Sequence, residues 1–218
     1  YDRLVGEPIL ELARREALLI DVGKTGVGAS TPQQEINALL LKHSQNGQIV
    51  VRLKGGDATI FGRLDEEIDA CEAAQIEWSI VPGITAASAA VAAIGQSLTR
   101  RQRNASVRFL TGHDMHGFHE QDWQALAKTN TVAAIYMGKK SARFIQGRLL
   151  MHGADPKTPV SIVEYASQPN QRIIEARLDH LAETLRAQTV SGPTLTLFGL
   201  AARKAALQIE NHHEKVSA

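Results

Sequence analysis

The chain has 218 residues, 44% of them hydrophobic and 22% charged, with a formal net charge of +1. That length supplies one large domain or two small ones, and the near-neutral balance excludes a global field that would recruit nucleic acid. No apolar run approaches membrane-spanning length, no signal-peptide pattern opens the chain, and the single cysteine, Cys71, excludes an internal disulfide and fits a reducing cytoplasm.

The first half reads as alternating helix and strand. Pro8 to Arg15 predicts a helix and Ala17 to Val22 a strand. Thr31-Pro32 opens the next helix, with Thr31 as the capping hydroxyl and proline in the first turn. A strand over 48–53, a helix over 64–74, a strand over 78–81 and a helix over 85–95 follow. Alternation of this kind predicts a parallel sheet covered on both faces. In the second half, Val107 to Thr111, Thr131 to Tyr136, Pro159 to Glu164, Arg172 to Arg177 and Thr194 to Phe198 read as strands. Ser141 to His152 and 179–187 read as helices. The hydrophilic stretch Thr99-Arg-Arg-Gln-Arg-Asn104 is the candidate linker. It divides an N-terminal α/β lobe, 1–104, from a C-terminal α/β lobe, 105–218. The tail from Gln208 is polar and reads as frayed.

Two segments carry the chemistry. The strand Gln48 to Leu53 ends at Lys54-Gly55-Gly56-Asp57. Glycines at a strand's carboxyl end let backbone groups approach a ligand, and the following acid can accept hydrogen bonds from an amine or hydroxyl. Trp78 to Val81 repeats the design with a Pro82-Gly83 break. Thr85 is the predicted N-cap of a helix of small side chains. Each segment alone is also what an ordinary strand-to-helix turn looks like.

Other patterns fall away. Asp21-Val-Gly-Lys-Thr25 resembles half a phosphate loop, but Leu18 stands where its first glycine is required, and no dinucleotide fingerprint is present. His113, His116 and His119 lie in a loop-like stretch where convergence on a metal is unforced, so no metal is expected. Cys71 reads as a packed residue in a helix.

Leu53 to Arg63 and Val81 to Ser88 resemble the uroporphyrinogen-III C-methyltransferases of the tetrapyrrole methylase superfamily. Tyr1-Asp-Arg-Leu-Val5, Val22-Gly-Lys24, Thr31 to Asn37, Ser97 to Arg101, Thr111-Gly-His113, Tyr136-Met-Gly138 and Val163-Glu164 match in order. The wording Gly-Asp-Ala-Thr-Ile-Phe-Gly-Arg-Leu-Asp-Glu-Glu is most similar to the methyltransferase part of a siroheme synthase. The resemblance implies a two-lobed α/β tetrapyrrole methylase fold. Its N-terminal lobe holds a parallel sheet, its C-terminal lobe a mixed sheet, and the active site lies in the cleft between them. Relatives carry a strand and a Gly-Pro-Gly-Asp loop ahead of the stretch matching Tyr1, so the front of the first lobe is expected to be missing here.

The resemblance also implies an activity and a site. The activity is methylation of uroporphyrinogen III by S-adenosylmethionine, through precorrin-1 to precorrin-2, for siroheme or cobalamin. Methylation of a later corrin precursor, or a non-catalytic ligand-binding domain of the same fold, is the alternative. Asp2 is implied as proton acceptor and Lys24 as donor. Gly55, Gly56, Asp57, Ile60, Thr85, Ala86, Met137 and Ala166 are implied as cofactor contacts. From its residue type alone, Met137 reads as core packing before Gly138, and Asp2 as half of an ion pair with Arg3. Many relatives have glycine where Ala166 stands, which is costly only if the backbone there needs positive φ. Arg3, Arg100 and Arg101 are the expected partners of the substrate's carboxylates, with Arg100 in place of a common histidine. A cytoplasmic homodimer is expected, with no nucleic acid and no membrane.

Overall fold

The computed structural model describes residues 1–23, 31–113 and 117–205. The helices, in chain order, are α1 (Glu7–Leu10), α2 (Gln33–Gln45), α3 (Leu64–Ala73), α4 (Ala86–Ala93), α5 (Trp123–Leu126), α6 (Ala142–Met151) and α7 (Leu181–Ala187). The strands are β1 (Arg108–Thr111), β2 (Ala133–Tyr136), β3 (Pro159–Glu164), β4 (Arg172–Arg177) and β5 (Thr194–Phe198). A 3-10 turn, Leu178–His180, leads into α7. No helix among the described residues is long and apolar enough to cross a membrane. The chain packs as two compact units, Tyr1–Thr85 and Ala86–Ala218.

The second unit is built on one five-stranded sheet of order β1-β2-β5-β3-β4. β1 and β2 are parallel; β5 is antiparallel to both β2 and β3, and β4 is antiparallel to β3. β1, β2 and β3 therefore run the same way, and Thr111, Tyr136 and Glu164 end on one edge. The side-chain period of two sends alternate residues to opposite faces. Ala133, Ile135, Val160, Ile162 and Phe198 meet the helices α6 and α7 on one face. Ala134, Val163, Leu195 and Leu197 meet Ala87, Ala90, Val91 and Ile94 around α4 on the other. Strands covered on both faces read as apolar runs, which fits the mostly buried β2, β3 and β5, whereas the edge strand β4 keeps Arg172, Glu175 and Arg177.

That packing places the boundary at Thr85–Ala86, ahead of the 104/105 divide suggested by composition, because α4 is buried against the second unit's sheet. Thr99 to Asn104 is not an open linker. Arg103 and Asn104 N–H groups both donate to the Arg100 carbonyl at 3.1 Å. The Arg103 guanidinium reaches the Ser97 carbonyl at 2.5 Å, and the Asn104 amide donates to the Leu98 and Ser106 carbonyls at 2.8 Å. The result is a closed polar turn.

The first unit departs further from expectation. α2 and α3 form as predicted, and α1 is shorter than Pro8 to Arg15. Thr31 does not cap α2; Pro32 takes the N-cap position and the Thr31 hydroxyl donates to the Gly23 carbonyl at 3.2 Å. None of the three predicted strands, 17–22, 48–53 and 78–81, joins a ladder among the described residues. A β-branched run makes a strand only when a neighbour takes its N–H and C=O groups. Here Ile49 is 97% exposed and Val81 84%.

Candidate active site

In the first unit, backbone converges on the Lys54–Asp57 loop through glycines. The turn at Tyr1–Val5 closes with the Val5 N–H donating to the Asp2 carbonyl at 3.2 Å, and the Val22 N–H donates to the Tyr1 carbonyl at 2.9 Å. Gly55 lies against this turn, where an added Cβ would come within 2.5 Å of the Leu4 Cβ. Gly83 lies so close to the Gly56 carbonyl oxygen that no side chain fits between them. Gly56 itself has φ 85°, a conformation that favours glycine. Asp2, Gly55, Gly56, Asp57 and the Pro82-Gly83 loop leading to Thr85 are thus gathered in one place. Gly56 is exposed, while Gly55 lies half-buried against Leu4.

Asp57 is partly committed. Its Oδ1 accepts from the Thr59 N–H at 2.8 Å and from the Thr59 hydroxyl at 2.7 Å. The Thr59 hydroxyl, and then its N–H, hold the carboxyl below the ordinary value. The second oxygen has no protein partner among the described residues. Ile60 follows with its N–H on the Asp57 carbonyl at 3.2 Å. Beyond it, Phe61 and Arg63 both have positive φ, at 51° and 55°. They line a depression of about 450 Å³ with Ala58, Glu66 and Ile80. Arg63 forms a two-pronged pair with Glu66, at 2.7 Å on each arm.

Asp2 does not pair with Arg3. Its Oδ1 accepts from the Leu4 N–H at 2.9 Å, and its Oδ2 faces Arg52 at 3.8 Å. Arg52 also contacts Glu67, which is only 4% exposed and holds Lys54 at 2.9 Å. The sequence reading singled out neither Arg52 nor Glu67. Asp65, Glu66 and Glu67 look alike on paper, and only the packing of α3 on α2 turns Glu67 inward. Cys71 is half-buried; desolvation, and then the charge of Glu67, raise its thiol pKa, which disfavours the reactive thiolate. Lys24 and His116 lie outside the described residues. Among the described residues no group of three metal-ligating side chains occurs.

In the second unit, Ala86, Tyr136 and Ala166 border one apolar cluster. The Ala87 N–H, in the first turn of α4, donates to the Tyr136 hydroxyl at 3.2 Å. This joins the carboxyl end of β2 to a helix start, at the edge where open α/β sheets place ligands. Met137 follows Tyr136 with φ 52° and is 52% exposed. The core-packing reading of Met137 is therefore wrong. Gly112 and Gly138 pack backbone to backbone behind it, and β2 has already ended. Ala166 lies between Tyr165 and Ser167, at φ 51° and 62°, but is itself outside the left-handed region. Alanine costs nothing there on that ground. Glu164 is buried and accepts from the Ser191 and Gly192 N–H groups at 2.8 and 2.6 Å, which ties the entry of β5 to the same edge.

Arg3, Arg100 and Arg101 are all exposed. None has an acidic partner among the described residues, so each has donors to offer.

The second unit is an α/β fold on a five-stranded mixed sheet, and the first carries helices and glycine-lined loops. The sequence profile of the tetrapyrrole (corrin/porphyrin) methylases matches residues 1–182. The siroheme synthase of Acinetobacter baylyi is 45% identical over 199 residues, 91% of this chain and 44% of its own length. The uroporphyrin-III C-methyl transferase of Thermus thermophilus, solved with S-adenyl homocysteine, is 33% identical. It superposes with a TM-score of 0.74 over 96% of this chain and 85% of that one. A cobalt precorrin-4 methyltransferase shares the fold, with a TM-score of 0.77 at 22% identity. The chain belongs to the tetrapyrrole methylase family, and it spans less than half the length of the siroheme synthase it matches.

Proposed function

We propose that the chain binds S-adenosylmethionine and methylates uroporphyrinogen III successively, through precorrin-1 to precorrin-2, on the way to siroheme or cobalamin. One observation carries this reading: Asp2, the Gly55-Gly56-Asp57 loop and the Pro82-Gly83 loop come together, with Gly56, Pro82 and Gly83 exposed. An amino acid end can approach Gly55 and Gly56, and the open oxygen of Asp57 can accept from an ammonium or hydroxyl. Ile60, Thr85, Ala86, Met137 and Ala166 supply the remaining contacts. When bound, the cofactor supplies an electrophilic methyl group on a sulfonium.

The chain's own residues orient the reactants and move protons. A porphyrinogen pyrrole carbon is an enamine-like nucleophile, so its methylation requires a proton to leave the macrocycle. Asp2 accepts that proton at Oδ2 and Lys24 acts as donor. Alignment of the reacting atoms can supply roughly 7–11 kcal/mol of the barrier reduction. Arg3, Arg100 and Arg101 hold substrate carboxylates with charged forks. The protein works as a cytoplasmic homodimer.

The test is methyl transfer from labelled S-adenosylmethionine to uroporphyrinogen III, with product mass showing two added methyl groups. S-Adenosylhomocysteine should bind saturably in calorimetry; no binding would overturn the assignment. Replacing Arg100 and Arg101 together by alanine should raise KM for uroporphyrinogen III about tenfold, less at high salt, with cofactor affinity unchanged. A loss of cofactor affinity instead would remove both arginines from the substrate site.

A further inference from the structure

We propose that Glu67 is a positioning residue for Asp2: by pinning Arg52, it keeps the guanidinium off the Asp2 oxygen that must accept a proton. The inference rests on the assignment of Asp2 as proton acceptor and names what keeps it available.

Four charges alternate through the first unit. Glu67 Oε1 accepts from Arg52 Nε at 3.2 Å, from Gln33 Nε2 at 3.2 Å and from Lys54 Nζ at 2.9 Å. Its Oε2 accepts from Lys54 Nζ at 2.9 Å. Arg52 Nη1 donates to the Leu53 carbonyl at 2.8 Å. The same Nη1 stands 3.8 Å from Asp2 Oδ2, beyond hydrogen-bond range. Arg52 is therefore near enough to attract the Asp2 carboxylate but is held by other acceptors. Asp2 Oδ1 is taken by the Leu4 N–H, so Oδ2 is the oxygen left open. Arg3, in the same turn, is exposed. Asp21 turns its Oδ1 to the Gly23 N–H at 2.7 Å. Among the described residues, neither forms a hydrogen bond or ion pair with Asp2.

A carboxylate as buried as Glu67 is a costly way to fill space, and an apolar residue of similar volume often packs as well. What an apolar residue cannot do is hold two cations. With Glu67 neutral, Arg52 and Lys54 would present two unbalanced positive charges, and Asp2 Oδ2 is the nearby carboxylate oxygen that Arg52 already faces. A charge-assisted hydrogen bond to it would occupy the lone pair that the reaction needs.

The experiment compares Asp2→Asn, Glu67→Gln and the double variant Glu67→Gln/Arg52→Gln. Asp2→Asn should abolish methyl transfer; if it does not, the assignment of Asp2 has failed and the positioning role of Glu67 fails with it. Given that loss, Glu67→Gln should lower kcat at least about tenfold, with KM for uroporphyrinogen III and the Kd of S-adenosylhomocysteine within about twofold of the parent. Its crystal structure should show Arg52 moved into hydrogen-bond range of Asp2. The double variant removes the freed guanidinium and should recover most of the lost kcat. The proposal is overturned if the double variant is no better than Glu67→Gln, or if kcat and cofactor affinity fall together. It is also overturned if Arg52 has not moved. Should Glu67→Gln fail to fold, Arg52→Gln decides. Glu67 keeps Lys54 there, and kcat should stay within about tenfold of the parent. A larger loss means that Arg52 acts on the reaction directly and overturns the proposal.

Discussion

The two units are held together by different physics. The second has a paired sheet with apolar layers on both faces, and Ile162 and Leu197 are fully buried. In the first, the buried side chains among the described residues are Val22, Ile36 and one charged group, Glu67, with Gly23 buried beside them, while Ile49, Val51, Val81 and Ile84 are each more than 70% exposed. Close glycine contacts and an ion network do there what apolar layers do in the second unit. Backbone left uncovered by side chains is also what a ligand site requires, so the unit with the weaker core carries most of the loop residues assigned to the cofactor.

The contrast can be broken most decisively by stability measurements. Leu197→Ala should destabilise the protein by about 2–5 kcal/mol in denaturant unfolding, because it removes buried volume on a face that cannot collapse. Ile49→Ala, in a residue 97% exposed, should change stability by less than about 0.5 kcal/mol. Equal losses would mean that the first unit's apolar surface is covered in the working protein. Lys54→Ala should come next, at about 1–3 kcal/mol. It strips one cation from a buried carboxylate, while Arg52 and Gln33 remain on it. A variant as stable as the parent would show that the network does not hold the unit.

Smaller effects sharpen the comparison at the site. Asp57→Ala should weaken S-adenosylhomocysteine at least about tenfold, or 1.4 kcal/mol, by calorimetry, with the unfolding midpoint nearly unchanged. Unchanged affinity would remove Asp57 from the cofactor site. The smallest effect is with pH. Thr59 lowers the folded pKa of Asp57, so its turn contributes stability that is fully present above the unfolded carboxyl value. That contribution is lost only as pH falls through the lower folded value. The Asp57 contribution to cofactor affinity should therefore stay flat from about pH 8 to 5. A midpoint near neutrality that vanishes in Asp57→Ala would contradict the Thr59 geometry.

Much of this was legible in the chain. The inner strands β2, β3 and β5 announce themselves as largely apolar runs, and α3 and α6 as helices of the right length. The glycines of Lys54-Gly-Gly-Asp57 and Pro82-Gly83 mark the loops that the structure brings together. Ser97 to Arg101 matched the family, yet the stretch Thr99 to Asn104 looked like a linker. Its closure depends on Arg103 and Asn104 reaching carbonyls several residues away. Met137 looked like core because methionine usually is; its exposure follows from where β2 stops.

What the sequence by itself determined was local: helix length, strand periodicity, the glycine positions and the ordered motifs that mark a tetrapyrrole methylase. These depend on the residue and its near neighbours, so they survive without a structure. Only the tertiary structure decided the long-range terms. It left the segments 48–53 and 78–81 without ladder partners among the described residues, moved α4 into the second unit, and selected Glu67 from three consecutive acids to receive Arg52 and Lys54. Strand pairing and buried charge depend on groups distant in sequence. The hydrogen bonds that satisfy them exist only once the chain has folded.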